Sequence, residues 1–162
     1  MHALGESALG GLAVPALDPR PMVEEVRAVL PKLDRKDRAA VDELVAAWEH
    51  STLSGRSESP VLLHGDFHFG NMVFGGLTGP VIGIWDFTCV EFGDPAADLR
   101  YLAGDSSILA EEVAGAYTAL TGRPVDIWAA RMMLALEDIT DASAGHRPVR
   151  EAIDRWHRSG LR

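Results

Sequence analysis

Residues 64–71, with the sequence HGDFHFGN, bring two histidines, an aspartate and an asparagine together between two apolar runs. The flanking runs, 61–63 and 72–74, are typical of short buried strands, so the sequence predicts a tight polar loop on a rigid scaffold. Gly65 and Gly70 would let this loop turn sharply or let another group approach its backbone. Such a loop holds polar groups in fixed positions.

A second carboxylate, Asp86, follows the apolar run VIGIW at 81–85, which predicts a buried strand. The segment FGGLTGP at 74–80 has the glycines of a hairpin connection, which would bring the end of that strand beside the loop. Asp66, Asn71 and Asp86 would then offer two carboxylates and an amide oxygen, which suit Mg²⁺ together with water and phosphate oxygens. In phosphoryl transfer a carboxylate also orients the attacking hydroxyl and accepts its proton.

The same side chains allow other interpretations. His64, Asp66 and His68 have donors suitable for the metal of a metallohydrolase, but this hypothesis leaves Asn71 and Asp86 unexplained. Taken singly, each histidine also fits a hydrogen-bonded loop residue, and each Asp or Asn fits a turn.

The rest of the chain predicts one mainly helical α+β domain. Residues 1–19 are expected to be irregular, Pro21 to open a helix that ends at Pro31, and Asp34 to cap a second helix. Helices are expected again after the β-rich part, at about 95–103, 106–121, 124–141 and 148–158. Helices, a small antiparallel β element and further helices are the order of an α+β domain.

Composition narrows the function classes. The 24 acidic residues outnumber the 15 basic ones and give a net charge of −9, which disfavours nucleic acid and anionic membrane as partners. This charge mildly favours a cationic ligand, although a solvated acidic surface explains it equally well. No apolar run reaches the roughly 18 residues of a membrane span, and the single Cys89 fits a reducing cytoplasm.

The sequence HGDFHFGN, followed by GIWDFTCVEFGDPAADL, resembles the motifs of the aminoglycoside phosphotransferase and choline kinase-like family, which has the protein-kinase-like fold. The spacing from His64 through Asp66 and Asn71 to Asp86 is that of a kinase catalytic loop and metal aspartate. The resemblance is strong from about 61 to 103. It implies an enzyme that transfers the γ-phosphate of ATP, or of another nucleoside triphosphate, to a hydroxyl of a small molecule.

The resemblance also implies roles for single residues. Asp66 would be the catalytic base, and Asn71 and Asp86 would bind Mg²⁺. Three further residues would have supporting roles: His64 would support the loop, Asp98 would be structural, and His68 stands where the family often has histidine. The small antiparallel β element would carry the catalytic loop.

The sequence departs from the family before residue 60. Complete members have an N-terminal lobe with a loop over the nucleotide phosphates and a lysine that contacts them. This chain has only Lys32 and Lys36, both on or beside a capped helix, and shows no run of strands there. Residues 1–162 are therefore expected to form a single C-terminal lobe without the nucleotide lobe. Two hypotheses follow: a truncated or split phosphotransferase whose missing lobe a partner supplies, or a noncatalytic, repurposed lobe that binds a ligand or partner.

Two surfaces carry further expectations. Acidic residues of the C-terminal helices would either line a site for a cationic acceptor or form solvated faces: Glu111, Glu112, Glu137, Asp138 and Asp141. Aromatic residues near the loop would either lose their cover without the second lobe or lie in the core: Phe67, Phe69, Trp85 and Phe87. Uncovered aromatics would favour self-association, or packing of residues 1–19 over them through Leu4, Leu9, Leu12, Val14 and Leu17.

Overall fold

The computed structural model describes residues 13–51, 53–54, 57, 59–145 and 148–158. It confirms the mainly helical α+β architecture of a kinase-like C-terminal lobe. In chain order its elements are α1 Arg20–Val29, α2 Arg35–Glu49, β1 Val61–Leu63, β2 Met72–Phe74, β3 Val81–Ile84, β4 Glu91–Gly93, α3 Pro95–Asp98, α4 Arg100–Asp105, α5 Ser107–Thr121, α6 Ile127–Ser143 and α7 Val149–Arg158.

The helix boundaries follow from capping chemistry. The Asp34 carboxylate accepts hydrogen bonds from the backbone N–H groups of Lys36 and Asp37, both at 2.9 Å, which starts α2 as predicted. Asp126 caps α6 in the same way, so this helix begins three residues after the predicted start at 124. The predicted helix at 95–103 is two short helices, α3 and α4, because Leu99 between them leaves the helical conformation (φ −86°, ψ 1°).

The β-rich part consists of two separate antiparallel pairs in the described part of the chain. β1 pairs with β4, with Leu62 opposite Phe92, and β2 pairs with β3, with Val73 opposite Gly83. The second pair is the predicted hairpin. The residues before α1 run along β4, because the Leu17 N–H donates to the Phe92 carbonyl at 2.8 Å and the Phe92 N–H donates to the Pro15 carbonyl at 2.7 Å.

The predicted burial of the hairpin strands is wrong. β1 is buried, but the side chains of Val73, Ile82 and Trp85 are 46%, 67% and 54% exposed. An apolar run predicts burial only if a second layer covers the strand. The described residues supply such a layer for β1, which packs against the helices, but leave the β2–β3 hairpin (residues 72–84) open.

The hydrophobic core lies among α1, α2, α4, α6 and β1. Its largest fully buried apolar side chains are Trp48, Leu44, Leu63, Leu102, Met132, Leu136 and Ile139. β1 leads directly out of this core into residue 64, so the polar loop (residues 64–71) starts from a rigid base. Among the described helices, none combines the length and apolarity needed to cross a membrane.

Candidate active site

The start of the polar loop is fixed by Asp98 at the end of α3. The Asp98 carboxylate is 3% exposed and accepts hydrogen bonds from the backbone N–H groups of His64 and Gly65, both at 2.9 Å. Gly65 has a positive φ of 79°, and a Cβ there would overlap the carbonyl oxygen of Cys89. The loop can therefore turn at this point only with glycine. Asp98 therefore fixes the backbone at the start of the loop, and its structural role in the family sense stays a prediction.

Arg100, the first residue of α4, holds the same turn from the other side. Its Nη2 donates to the Gly65 carbonyl at 2.5 Å, and its Nε donates to the Glu137 carboxylate of α6 at 2.9 Å. Burial alone would lower the pKa of Arg100, but the charge of Glu137 and the contact with Tyr101 raise it above its ordinary value. Burial raises the pKa of the Glu137 carboxyl, and the charge of Arg100 opposes this rise.

His64 joins the polar loop to the end of the hairpin. Its side chain is fully buried, its Nδ1 accepts the Asp66 N–H at 3.3 Å, and its Nε2 lies 2.9 Å from the Trp85 carbonyl oxygen. An Nδ1 that accepts a hydrogen bond carries no proton, so the ring is the neutral tautomer that donates from Nε2 to Trp85. These contacts suit the supporting role predicted for His64.

Asp66 and Asn71 are in direct contact. Nδ2 of Asn71 donates to the Asp66 backbone carbonyl at 2.9 Å and to Asp66 Oδ2 at 3.0 Å. Asn71 is buried, whereas about a third of the Asp66 side chain is exposed. Within the described residues Oδ1 of Asp66 has no hydrogen bond, so this oxygen can accept a proton from a bound hydroxyl.

Asp86 directly follows Trp85, whose backbone contacts two residues of the polar loop, Asn71 and His64. The Trp85 N–H donates to the Asn71 carbonyl at 3.1 Å, while the Trp85 carbonyl accepts from His64. Asp86 has a left-handed backbone (φ 61°, ψ 67°) and is the one non-glycine residue of the described part with a positive φ. Its Oδ1 accepts the Thr88 hydroxyl at 2.6 Å. Such an uncommon conformation in a non-glycine residue motivates a functional hypothesis. The backbone thus brings the end of β3 beside the polar loop, while metal binding by Asp86 and Asn71 stays a prediction.

This geometry does not favour the metallohydrolase hypothesis. Both ring nitrogens of His64 are engaged with backbone groups, so neither is available to a metal. In the part of the chain that the structure describes, no three His, Cys, Asp or Glu side chains form a group that could hold a metal ion. A site with one amide and carboxylates, completed by water and phosphates, is a different donor set and is not excluded by this finding.

Some acidic residues of the C-terminal helices have specific partners. Glu137 pairs with Arg100, and the buried Asp138 pairs with Arg155 at 3.0 Å. Neither residue is part of a simple solvated face. Sequence reasoning misses Arg100, because its partner Glu137 lies on a different helix and no local pattern specifies the pair.

A cavity of about 710 Å³ lies beside the loop, between β3 and α5. Its lining is mainly apolar, with His64, Asp98 and Tyr117 as the members that carry polar side-chain atoms. Phe67 packs against the core, whereas Phe69, Trp85 and Phe87 are 39%, 54% and 47% exposed. The expectation of uncovered aromatics therefore holds for three of the four. Leu4, Leu9 and Leu12 lie outside the described residues, and residues 15–17 are hydrogen-bonded to β4. Cover of the exposed aromatic residues by residues 1–19 therefore stays a prediction.

The fold is that of the C-terminal lobe of the kinase-like fold. The chain belongs to the phosphotransferase enzyme family, whose sequence profile matches residues 2–149. No curated protein matches the chain significantly. The family finding does not favour the hypothesis of a noncatalytic binding lobe.

Solved structures of aminoglycoside and macrolide phosphotransferases share this fold. The GDP and kanamycin complex of the aminoglycoside phosphotransferase APH(2″)-IIIa superposes with a TM-score of 0.75 at 20% identity, over 98% of this chain and 57% of that one. The GDP complex of wild-type aminoglycoside 2′-phosphotransferase-IIIa gives 0.72 at 18%, over 98% and 56%. The apoenzyme of macrolide 2′-phosphotransferase MphH from Brachybacterium faecium gives 0.60 at 21%, over 96% and 56%. This chain thus spans little more than half the length of these relatives.

Proposed function

We propose that the polar loop and Asp86 form the catalytic half of a small-molecule phosphotransferase that uses Mg²⁺ and ATP, or another nucleoside triphosphate. The observation that carries this proposal is the connected geometry of the site. Asp66 contacts Asn71 directly, and the Trp85 backbone joins both Asn71 and His64 immediately before Asp86. Family membership supports the same class of reaction.

In this proposal Asp66 is the general base. Its Oδ1 accepts the proton of the acceptor hydroxyl while the hydroxyl oxygen bonds to the γ-phosphorus. The bond from that phosphorus to the β–γ bridging oxygen breaks, and the nucleoside diphosphate leaves. Hydrogen bonding by Asn71 Nδ2 keeps the other carboxylate oxygen in place.

Asn71 and Asp86 are the residues that would hold Mg²⁺. Because Nδ2 of Asn71 donates to Asp66, its Oδ1 is the amide atom that a cation would bind, and Asp86 offers carboxylate oxygens at the end of β3. Bound there, the ion would neutralise charge on the phosphates of the nucleotide. This donor set fits the hard oxygen ligands that Mg²⁺ takes.

The groups that cover the phosphates in complete kinase-like proteins, a phosphate loop and a lysine, would come from a further lobe. We propose that this lobe belongs either to the same polypeptide or to a partner chain. The acceptor is proposed to be a small molecule with a hydroxyl group, cationic if it complements the acidic net charge of −9. The cytoplasmic location is also a proposal.

The test is Mg²⁺-dependent transfer of labelled γ-phosphate to a panel of hydroxylated amines, with Asp66→Asn as the variant and Asp42→Asn as the control on the surface of α2. We expect Asp66→Asn to lose about 10²- to 10⁴-fold in kcat, because general-base help has that size. Nucleotide affinity should be unchanged in both variants. Equal turnover by wild type and Asp66→Asn would overturn the proposal.

A further inference from the structure

His68 occupies a defined position inside the polar loop. It precedes the 3₁₀ turn Phe69–Asn71 and caps it, because the Gly70 N–H donates to His68 Nδ1 at 2.9 Å. A nitrogen that accepts this bond carries no proton, so the neutral ring carries its hydrogen on Nε2. The backbone of the loop therefore selects the tautomer of His68.

The protonated nitrogen of this tautomer faces Asp66. Nε2 of His68 lies 3.4 Å from Asp66 Oδ2, the oxygen that also accepts from Asn71 Nδ2 at 3.0 Å. Both donors thus meet the same carboxylate oxygen. The terminal torsion of an aspartate is broad and close to two-fold, so without such donors the two oxygens exchange places easily.

The ring of His68 is held in this orientation by its surroundings. The Tyr101 ring meets it edge-on, with 5.9 Å between ring centroids and an interplanar angle of 88°. Tyr101 is itself covered by the Arg100 guanidinium, 4.4 Å from the ring centroid. A Cβ at position 70 would come within 2.6 Å of the His68 ring, so glycine there permits the close approach.

We propose that His68 is a positioning residue for Asp66. Its Nε2–H holds Oδ2, and together with Asn71 it leaves Oδ1 turned toward the acceptor hydroxyl. The 3.4 Å separation is longer than a usual hydrogen bond and is expected to shorten when an acceptor is bound, as contacts of catalytic groups often do. The proposal rests on the function proposed above, because it assigns His68 a task only in proton transfer.

Two substitutions separate capping from positioning. In His68→Asn the amide oxygen can still accept the Gly70 N–H, but the side chain is too short to reach Asp66. In His68→Gln the longer side chain places an N–H donor near the position of Nε2. We expect His68→Asn to lower kcat about 10- to 100-fold with KM unchanged, the size of one lost hydrogen bond to a charged group. His68→Gln should retain most of the wild-type kcat. Equal losses in both variants, or full activity in His68→Asn, would overturn the proposal.

A measurement independent of turnover is the nitrogen NMR spectrum of the His68 ring in the full chain, at a pH where the ring is neutral. We expect the Nε2–H tautomer, and a shift of the Nε2 signal but not of the Nδ1 signal in Asp66→Ala. An Nδ1–H tautomer, or an Nε2 signal that does not respond to loss of the Asp66 carboxylate, would overturn the positioning role. The expected spectrum together with equal phosphate transfer by wild type and Asp66→Asn would count against the proposed function while leaving the contact established.

Discussion

The polar loop and the β2–β3 hairpin lie next to each other but are held in different ways. The loop is tied to the helices by buried charged groups, with Asp98 on its backbone N–H groups and Arg100 on its carbonyl. The hairpin has its own ladder of hydrogen bonds and exposes apolar side chains, among them Ile82 at 67%.

The polar loop and the hairpin therefore differ in what fixes and covers their side chains. Residues that would act on the proton and the metal take their positions from contacts inside the chain. The apolar surface beside them is not covered by the described residues. Contiguous apolar surface of this kind marks binding sites or association surfaces.

The largest effect on stability should come from removing the charge of Arg100, which contacts both the Gly65 carbonyl and Glu137. We expect Arg100→Ala to lower the free energy of unfolding by about 3–5 kcal/mol, because it leaves the partly buried Glu137 carboxylate and the Gly65 carbonyl without their partner. The matched control is Arg27→Ala, whose ion pair with Glu49 is about half exposed and should contribute at most about 1 kcal/mol. Urea titration measures both. Similar small changes in the two variants would show that the loop is not anchored as described.

A second comparison sets a strand on the anchored side against the hairpin. Leu63→Ala in β1, where the side chain is fully buried, should cost about 2–5 kcal/mol through lost contacts and a cavity. Ile82→Ala in β3 should change stability by no more than about 0.5 kcal/mol. Light scattering of the Ile82 variant would show whether the exposed hairpin drives self-association. A large loss of stability in Ile82→Ala would mean that the hairpin is covered in solution.

The smallest effect on stability concerns Glu91 in β4, which is half-buried near Arg100 and Asp98. Burial raises the pKa of Glu91 above its ordinary 4.5, with Arg100 opposing and Asp98 and Glu137 adding to the rise. The folded state therefore holds this proton to a higher pH than the unfolded state does. Stability is gained as the pH falls through the folded pKa toward 4.5, and it is lost as the pH rises through the folded pKa.

Glu91→Gln removes this contribution. Between neutral pH and about pH 4.5, unfolding free energies from urea titrations should fall more steeply with acidification in the variant than in the wild type. Parallel curves for the two proteins would contradict the raised pKa.

The helix starts, the hairpin and the polar loop could be predicted from the sequence, because local signals specify them. The cap at Asp34, Pro21 in the first turn of α1, the glycines of the hairpin and the HGDFHFGN sequence of the loop are all signals within a few residues. The placement of Asp66 and Asn71 in contact follows from the same short stretch.

The parts that could not be predicted depend on contacts between distant segments. The pairing of Arg100 with Glu137 joins residues on different helices, and no local pattern specifies it. The exposure of the hairpin was missed because its strands VIGIW and MVF have the composition of buried strands. Apolar composition favours a covered strand, but it does not specify which chain, lobe or ligand covers that strand.

The most direct test of the phosphotransferase site is the location of a bound divalent cation. Mn²⁺ accepts the same oxygen ligands as Mg²⁺ and broadens NMR signals of nearby nuclei. With ATP present, we expect it to broaden the amide signals around Asn71 and Asp86 first, to spare α7, and to lose this selectivity in Asp86→Ala. Broadening centred elsewhere, or the same pattern in wild type and Asp86→Ala, would contradict the assignment of the site.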